Sequence, residues 1–432
     1  MTYGWTSPLV PYFLSNETHI EITESDGNWL ENLTLVGAVF CLPITVFAVD
    51  YFGRKSSLIL SSLVGCICWI MLLVAENVTV MFIARFFAGM VGDMCAVAAP
   101  MYVAEISDYR IRGFLASMIY LQMLLGILIV YCTGSLTPYI VTPIVGIVLT
   151  SAQCILFPFM PESPYYYVSK NQHEKARRAI KRVNFYADID QEIANIQDEI
   201  TAEKENRGSL MDLIRNPTNR LAMTIMIVLN GGQHFVGISV IMMNVQLILE
   251  EAGSVYMSST SSAILFAVTM LVSATIASLF IDKFGRRVLL MSSGILSGLA
   301  LLILSVYFNL QYLDFDITSY SWLPIVCVMI YAATFKIGLG LVPVVVTAEI
   351  FPPNCKAIGI TLADVIYMLA ALASINLYTL LYNSFGMYAP FYVFSVSSFM
   401  IALYTYIWIP ETKGKTLEEI QFILEARTTK RK

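Results

Sequence analysis

The sequence is short of charge. Only 13% of its 432 residues are Asp, Glu, Lys or Arg, about half of the roughly 25% that soluble globular domains carry. Hydrophobic residues make up 57% of the chain. A water-soluble fold of this length cannot cover its surface with so few charges. The shortage argues against a soluble enzyme, a nucleic-acid-binding protein or a disordered chain, and it indicates an all-α polytopic membrane protein.

Arrangements of residues that could form disulfides, bind a metal or catalyse a reaction are also scarce. The eight cysteines fall in apolar segments or, for Cys355, beside Lys356, so no disulfide framework is indicated. Cys66 and Cys68 lie in an apolar segment without His or carboxylate neighbours. No paired carboxylates and no nucleophile–base set stand among the motifs. We therefore expect no metal, no cofactor and no enzymatic activity.

Long apolar segments fill most of the chain. A membrane-spanning helix needs about 20 mostly apolar residues. Eleven such segments are present, at 30–49, 57–75, 78–104, 114–133, 139–159, 219–248, 259–281, 288–308, 322–347, 357–382 and 389–409. The polar interruption between the fifth and the sixth has isoleucines at helical spacing, which predicts surface helices. The predicted domains are an N-terminal bundle (1–160), a cytoplasmic linker (161–217), a C-terminal bundle (218–410) and a cytoplasmic tail (411–432).

Lys and Arg are absent from alternate loops, namely 13–29, 76–77, 134–138, 249–258, 309–321 and 383–388. Because positive charge marks the cytoplasmic side, these loops are predicted to lie outside. The acceptor sequence Asn16-Glu17-Thr18 then predicts glycosylation of Asn16. Only residues 1–12 precede the first outer loop, and they span about 18 Å as a helix, less than the membrane thickness. We interpret them as the outer part of a first helix that is only partly present.

The two halves of the chain repeat one order of motifs. Each has a Gly-Arg loop after a span, a glutamate that closes a later span, and a Pro-Glu pair after its last span. These are Asp50-Tyr-Phe-Gly-Arg-Lys55, Glu105 and Pro161-Glu162 in the first half, and Asp282-Lys-Phe-Gly-Arg-Arg287, Glu349 and Pro410-Glu411 in the second. Parallel repeats of six helices joined by a linker indicate a two-bundle transporter.

With these motifs, the sequence resembles the sugar porters of the major facilitator superfamily. Further matches are Arg85-Phe-Phe-Ala-Gly89, the segment 100–113, Gly232-Gln233 and Gly338-Leu-Gly-Leu-Val-Pro343. Gly4-Trp-Thr-Ser-Pro8 is most similar to insect facilitated trehalose transporter-like members. The resemblance implies a monomeric multi-pass carrier of the plasma membrane, with both termini cytoplasmic in the complete protein. It would move a hexose or a disaccharide such as trehalose by alternating access, and facilitated diffusion is the default.

The resemblance also implies a cytoplasmic gate made by arginines and glutamates at helix ends. The residues assigned to it are Arg54, Arg85, Glu105, Arg112, Glu162, Arg286, Arg287 and Glu349. The alternative is that isolated charges in these loops only anchor the helices on the positive side of the membrane.

Five positions match, or replace, the residues with which the family binds sugar. Gln233 matches the first glutamine of the family's Gln-Gln-x-x-Gly-Ile-Asn motif, His234 replaces the second, and Ser239 replaces the asparagine. Tyr120 and Tyr367 stand where a fifth-helix glutamine and an eleventh-helix asparagine are expected. The site therefore departs from that of glucose carriers, which leaves an altered or larger substrate open. The alternative for Gln233 and His234 is an ordinary hydrogen bond between helices.

Four ionisable residues fall inside spans: Arg85, Asp93, Lys336 and Asp364. Such groups are costly in hydrocarbon and are often functional, and Lys336 and Asp364 are candidates for an ion pair. Two other functions stay open, a sugar-sensing receptor and a degraded copy that no longer transports. A signalling receptor of this family would have a long tail, whereas the tail after Pro410 has 22 residues. We expect a sugar and the lipid bilayer as partners, and no nucleic acid.

Overall fold

The computed structural model describes residues 1–15, 18–107, 111–183, 188–205, 210–253, 255–415 and 417–429. Within these ranges the regular secondary structure is entirely helical. The chain divides into two compact units, Met1–Arg207 and Gly208–Lys432. We describe each unit by itself.

The first unit consists of long apolar helices followed by shorter polar ones. Its helices are α1 (Thr6–Leu14), α2 (Glu24–Tyr51), α3 (Arg54–Leu73), α4 (Val78–Ile106), α5 (Arg112–Leu136), α6 (Val141–Leu156), α7 (Pro164–Ser169), α8 (His173–Val183) and α9 (Ile189–Glu205).

The second unit begins with a short helix and then has the same alternation of long helices and tight turns. Its helices are α10 (Leu210–Arg215), α11 (Pro217–Phe235), α12 (Ile238–Glu251), α13 (Ser259–Phe284), α14 (Arg286–Tyr312), α15 (Leu323–Ile337), α16 (Val342–Ile350), α17 (Pro353–Phe385), α18 (Tyr388–Trp408) and α19 (Leu417–Thr429).

Among the described residues, 11 helical segments are long and apolar enough to cross a membrane. Their number and positions confirm the predicted spans. The first of them starts at Glu24 rather than at residue 30, because the polar residues before the apolar run form a capping box. The Asp26 N–H donates to Thr23 Oγ1 at 3.2 Å, and the Thr23 N–H donates to Asp26 Oδ2 at 2.9 Å. Such a box satisfies amide groups that a helix start otherwise leaves free.

Two predicted spans of the second unit are broken, which corrects the continuous helices expected at 219–248 and 322–347. The first breaks between α11 and α12 at Gly237, whose φ of +91° favours glycine, and a Cβ there would lie 2.7 Å from the Phe394 ring. The second breaks between α15 and α16. A Cβ at Gly338 would lie 2.2 Å from the carbonyl oxygen of Leu289, and the Leu339 N–H donates to Ser293 Oγ at 3.0 Å. The sequence stays apolar through both breaks, so its hydropathy could not reveal them.

Glycine brings α2 and α4 of the first unit into backbone contact. A Cβ added to Gly37 would lie 2.0 Å from the carbonyl oxygen of Phe86, and one added to Gly89 would lie 1.9 Å from that of Thr34. Small residues let membrane helices approach in this way. Gly37 of α2 contacts the backbone of α4, and Gly89 of α4 contacts the backbone of α2, so each helix contributes one glycine to the close approach.

Serine plays the corresponding part between α14 and α18 of the second unit. Ser395 Oγ donates to the carbonyl oxygen of Gly298 at 2.8 Å, and Ser398 Oγ donates to that of Gly294 at 2.7 Å. Interhelical hydrogen bonds of this kind contribute about 0.6 kcal/mol each in membrane proteins.

The helices that follow α6 form a small apolar core of their own. Val168 of α7, Ala176 of α8 and Ile200 of α9 are buried together, and Ile193 and Ile196 pack against them. These isoleucines are the residues whose helical spacing predicted surface helices in this part of the chain.

Candidate functional site

The Gly-Arg loop of the first unit makes an ion pair with the end of α4. Arg54 Nε and Nη2 lie 3.0 and 2.9 Å from Glu105 Oε1, and Arg54 Nη1 donates to the carbonyl oxygen of Val49 at 3.3 Å. The two charged side chains are only 6% and 15% exposed. We call the end of a unit at which this loop lies its Gly-Arg end.

The second unit repeats the pair with its own residues. Arg286 Nη2 lies 3.1 Å from Glu349 Oε1, and Thr412 Oγ1 donates to Glu349 Oε2 at 2.6 Å. The side chains of Arg286 and Glu349 are 11% and 27% exposed, more than those of the first pair. Both predicted carboxylates therefore contact the Gly-Arg loop of their own unit.

The glutamate of each Pro-Glu pair caps the helix that follows the Gly-Arg loop. Glu162 Oε1 accepts the Lys55 N–H at 2.9 Å, while Glu411 accepts the N–H groups of Arg286 and Arg287 at 2.9 and 3.1 Å. A carboxylate at a helix N-terminus satisfies free N–H groups and interacts favourably with the helix dipole. Glu162, predicted as a gate residue, thus acts as a cap, and its equivalent Glu411 was missed although it occupies the same Pro-Glu position.

The capped loops have room for glycine alone. Gly53 and Gly285 have φ values of +97° and +86°. A Cβ there would lie 2.5 Å from Glu162 Oε2 or 2.8 Å from Glu411 Oε2, respectively. The glycine of the motif therefore admits both the backbone turn and the carboxylate.

The predicted substrate residues of the second unit lie together at the Gly237 break. Gln233 and His234, on the last turn of α11, are 3% and 2% exposed. His234 Nδ1 lies 2.7 Å from Ser239 Oγ on α12, and the His234 ring meets the Tyr367 ring of α17 edge to face, with centroids 4.1 Å apart. Ser374 Oγ donates to the His234 carbonyl oxygen at 2.6 Å.

Two polar atoms of this cluster have no hydrogen bond within the described part of the chain. They are Gln233 Nε2 and His234 Nε2, both buried. An unsatisfied buried polar atom costs roughly 1–3 kcal/mol, so an arrangement that leaves two of them calls for an explanation.

Ser239 and Tyr367, two further predicted substrate residues, lie beside His234, as described. Tyr120 lies half-buried on α5 of the first unit.

A profile of the family described as "Sugar (and other) transporter" matches residues 8–424. The chain belongs to this family. The match extends over both units and includes every motif of the Gly-Arg ends.

Individual members of the sugar transporter family are moderately similar to the chain. A facilitated trehalose transporter of Bombyx mori is 28% identical over 98% of this chain and 83% of its own length. Facilitated glucose transporter member 6 of solute carrier family 2 from Mus musculus is 26% identical over 98% and 88%. The chain spans about half (49%) of the trehalose transporter of Drosophila yakuba.

The fold of this sugar transporter family member is found in solved structures. The inward-open xylose transporter XylE from E. coli superposes with a TM-score of 0.78 at 21% identity, over 98% of this chain and 96% of that one. Another structure of XylE is described as a major facilitator superfamily protein. The likeness confirms the predicted all-α major facilitator fold.

The assignment of Arg85 to the gate at the Gly-Arg end is wrong. Arg85 is the eighth residue of α4, and Glu105 follows 20 residues later, about 30 Å along the helix. Arg85 is buried, stacks over Trp5 at 4.8 Å, and donates to the carbonyl oxygens of Thr2 and Leu30. It therefore belongs to the opposite end of the first unit, because the order of motifs along the chain does not give their height along a helix.

The remaining gate predictions have separate outcomes. The Arg287 guanidinium does not join the ion pair with Glu349 but lies 5.4 Å from the Tyr406 ring and donates to the Tyr406 carbonyl oxygen. Arg112 begins α5, and its side chain is outside the described part of the chain. Asn16, the predicted glycosylation site, also lies outside the described residues.

The ionisable residues inside spans are largely buried. Asp93 lies on α4, and Thr45 Oγ1 of α2 donates to its Oδ2 at 2.9 Å. Lys336 is buried near the end of α15, and Asp364 is half-buried on α17. Asp93 therefore faces α2 inside the first unit, as its cost in hydrocarbon requires.

Glu411 gives the Gly-Arg end of the second unit a testable pH dependence. Burial raises the pKa of Glu411, but N–H donors of Lys413, Arg286, Arg287 and Thr412 outweigh it and hold the pKa below the ordinary 4.5. A carboxylate with a lowered pKa stabilises the fold above pH 4.5 and loses this contribution as the pH falls through its folded value.

We therefore expect Glu411→Gln to lower the thermal midpoint at pH 7 by about 2–4 °C, as a loss of about 1 kcal/mol does in a unit of this size. The difference from the wild type should shrink as the pH falls below 4.5. Glu199→Gln, at an exposed position of α9, serves as the control. A difference that stays constant between pH 7 and pH 4 would contradict the capping role of the charge.

Proposed function

We propose that the chain carries a sugar, a hexose or a disaccharide such as trehalose, across the plasma membrane by alternating access. The observation that carries the proposal is the cluster at the Gly237 break. Two buried polar atoms beside the aromatic ring of Tyr367, Gln233 Nε2 and His234 Nε2, have no hydrogen-bond partner among the described residues. Sugars need neutral hydrogen-bond partners and an apolar surface, and this cluster offers both without a charge. Membership of the sugar transporter family supports the same substrate class.

The ion pairs at the Gly-Arg ends serve, in this proposal, as the cytoplasmic gate. Arg54 with Glu105 and Arg286 with Glu349 hold the Gly-Arg end of each unit in one arrangement. The positive residues near these ends support a position on the cytoplasmic side. Helices α7 to α10 then form a cytoplasmic linker, and Asn16 faces outward, where it is glycosylated.

Facilitated diffusion is the transport mode that we propose. No contact among the described residues favours a sensing role without transport, the alternative that the sequence left open. Trehalose and glucose, the sugars for which the relatives are named, are the substrates to be tested.

Uptake into proteoliposomes that contain the full chain tests the proposal. We expect uptake of labelled trehalose or glucose that saturates, shows counterflow and is unchanged by a protonophore. Gln233→Ala should lower kcat/KM about tenfold, because one hydrogen bond to the sugar is lost. Asn376→Ala, which removes an exposed amide of α17, is the matched control.

A sugar that binds should also raise the thermal midpoint of the wild type, and less so that of Gln233→Ala. This second measurement separates binding from turnover. Absence of both a midpoint shift and uptake with every hexose and disaccharide tested would refute the proposed function.

A further inference from the structure

One face of α8 is a row of exposed cations. The helix buries Ala176, Ala179 and Ile180, and its remaining sides point away from the core of the first unit. The exposed cations are Lys175, Arg177, Arg178, Lys181 and Arg182, against one acidic residue in the helix, Glu174. A surface with such an excess of one sign attracts an oppositely charged partner.

Two of these cations have no polar partner among the described residues. Arg177 pairs with Asp190 of α9, and Arg182 donates to the Phe159 carbonyl oxygen. Arg178 and Lys181 have no hydrogen bond or ion pair with the described residues. They are three positions apart and so lie on the same face of the helix.

Contacts of α8 and of the loop before it place this face beside the ends of spanning helices. Phe159 and Met160, directly after α6, are 68% and 51% exposed, and Arg182 reaches the backbone of Phe159. Lys170 Nζ lies 5.6 Å from the ring of Tyr51, an exposed residue that ends α2. Exposed aromatic residues at the end of a span mark the boundary between hydrocarbon and headgroups. The Arg182 end of the row therefore lies next to the end of a spanning helix, where headgroups are expected.

We propose that the basic face of α8 binds the headgroups of anionic phospholipids. The surface is a convex row beside the bilayer, which suits headgroup phosphates held at one height rather than a single free anion. Cationic clusters next to a spanning helix attract anionic lipids in this way. The contact would fix α7, α8 and α9 against the membrane, and it does not depend on the sugar that the chain carries.

Native mass spectrometry of the detergent-solubilised full chain tests the proposal, because it counts bound lipids directly. We expect phosphatidylserine to bind more tightly than phosphatidylcholine, and its binding to weaken with salt. The double variant Arg178→Gln with Lys181→Gln should bind phosphatidylserine about 30-fold more weakly, since each cation near the surface contributes about fivefold. Both residues are exposed, so the thermal midpoint without lipid should stay the same.

Two controls distinguish the face from charge in general. The double variant Arg215→Gln with Lys415→Gln removes two exposed cations of the second unit and should leave phosphatidylserine binding unchanged. The charge-preserving exchange Arg178→Lys with Lys181→Arg should retain it. Equal affinities for the two lipids, an equal loss in the control variant, or displacement of the lipid by inorganic phosphate at millimolar concentration would each overturn the proposal.

Discussion

Replacement of Gly89 by alanine is expected to destabilise the first unit by about 3 kcal/mol, the upper end of the usual cost of overpacking. The new Cβ would lie 1.9 Å from the carbonyl oxygen of Thr34 and 3.1 Å from the backbone nitrogen of Ala38. Both atoms belong to the backbone of α2, so no side-chain rotation can relieve the clash and the helices must separate. We expect the thermal midpoint to fall by about 6–12 °C, and valine at this position to prevent recovery of folded protein.

Gly65→Ala is the matched control in the same unit. A Cβ there would meet Thr150 and Val91 only at 3.4 Å, ordinary van der Waals contact. Because alanine is a better helix former than glycine, this variant should be as stable as the wild type or slightly more stable. Equal stability of the Gly89 and Gly65 variants, measured by thermal unfolding in detergent, would show that α2 and α4 do not pack backbone to backbone.

Removal of Arg54 should cost more than removal of its equivalent Arg286. The pair of Arg54 with Glu105 is the more buried, and loss of one partner of a buried ion pair typically costs about 3–5 kcal/mol because the other charge stays uncompensated. After Arg286→Gln, Glu349 keeps its hydrogen bond from Thr412. We expect Arg54→Gln to cost about 3–5 kcal/mol and Arg286→Gln only about 1–2 kcal/mol.

A double variant separates the ion pair from general damage. Arg54→Gln with Glu105→Gln leaves no buried charge alone, so it should be more stable than Arg54→Gln by itself. Unfolding of the wild type, Arg54→Gln, Glu105→Gln and the double variant in denaturant provides the comparison. If the double variant were as unstable as the sum of the two single ones, the contact between Arg54 and Glu105 would contribute nothing.

The spans and the repeated motifs could be predicted from the sequence because each rests on a local signal. Apolar runs of about 20 residues have no other stable environment than the bilayer, and the repeated Gly-Arg and Pro-Glu motifs indicated which residues are equivalent. The family resemblance assigned Glu105 and Glu349 to the gate, and each contacts the Gly-Arg loop of its own unit. The motif around Gln233 and His234 likewise indicated a group of side chains that can form hydrogen bonds.

Features that depend on distance along a helix or on close approach could not be predicted. Gly37 and Gly89 are two of 24 glycines, and nothing local marks them as a contact. The breaks at Gly237 and Gly338 leave the apolar run intact. Arg85 was assigned to the wrong end of the unit, because a motif gives the order of residues and not their position in space.

The break at Gly338 makes the helix that leads to Glu349 different from its counterpart in the first unit, α4. Glu105 lies near the end of α4, a helix of 29 residues that contains Pro100, whereas the equivalent Glu349 lies near the end of α16, which Gly338 and its neighbours separate from α15. A proline inside a helix removes one backbone hydrogen bond and kinks the helix, but α4 continues past it. At Gly338 the helix itself ends. The carboxylate of the first unit is therefore attached to one long helix, and that of the second unit to a short separate segment.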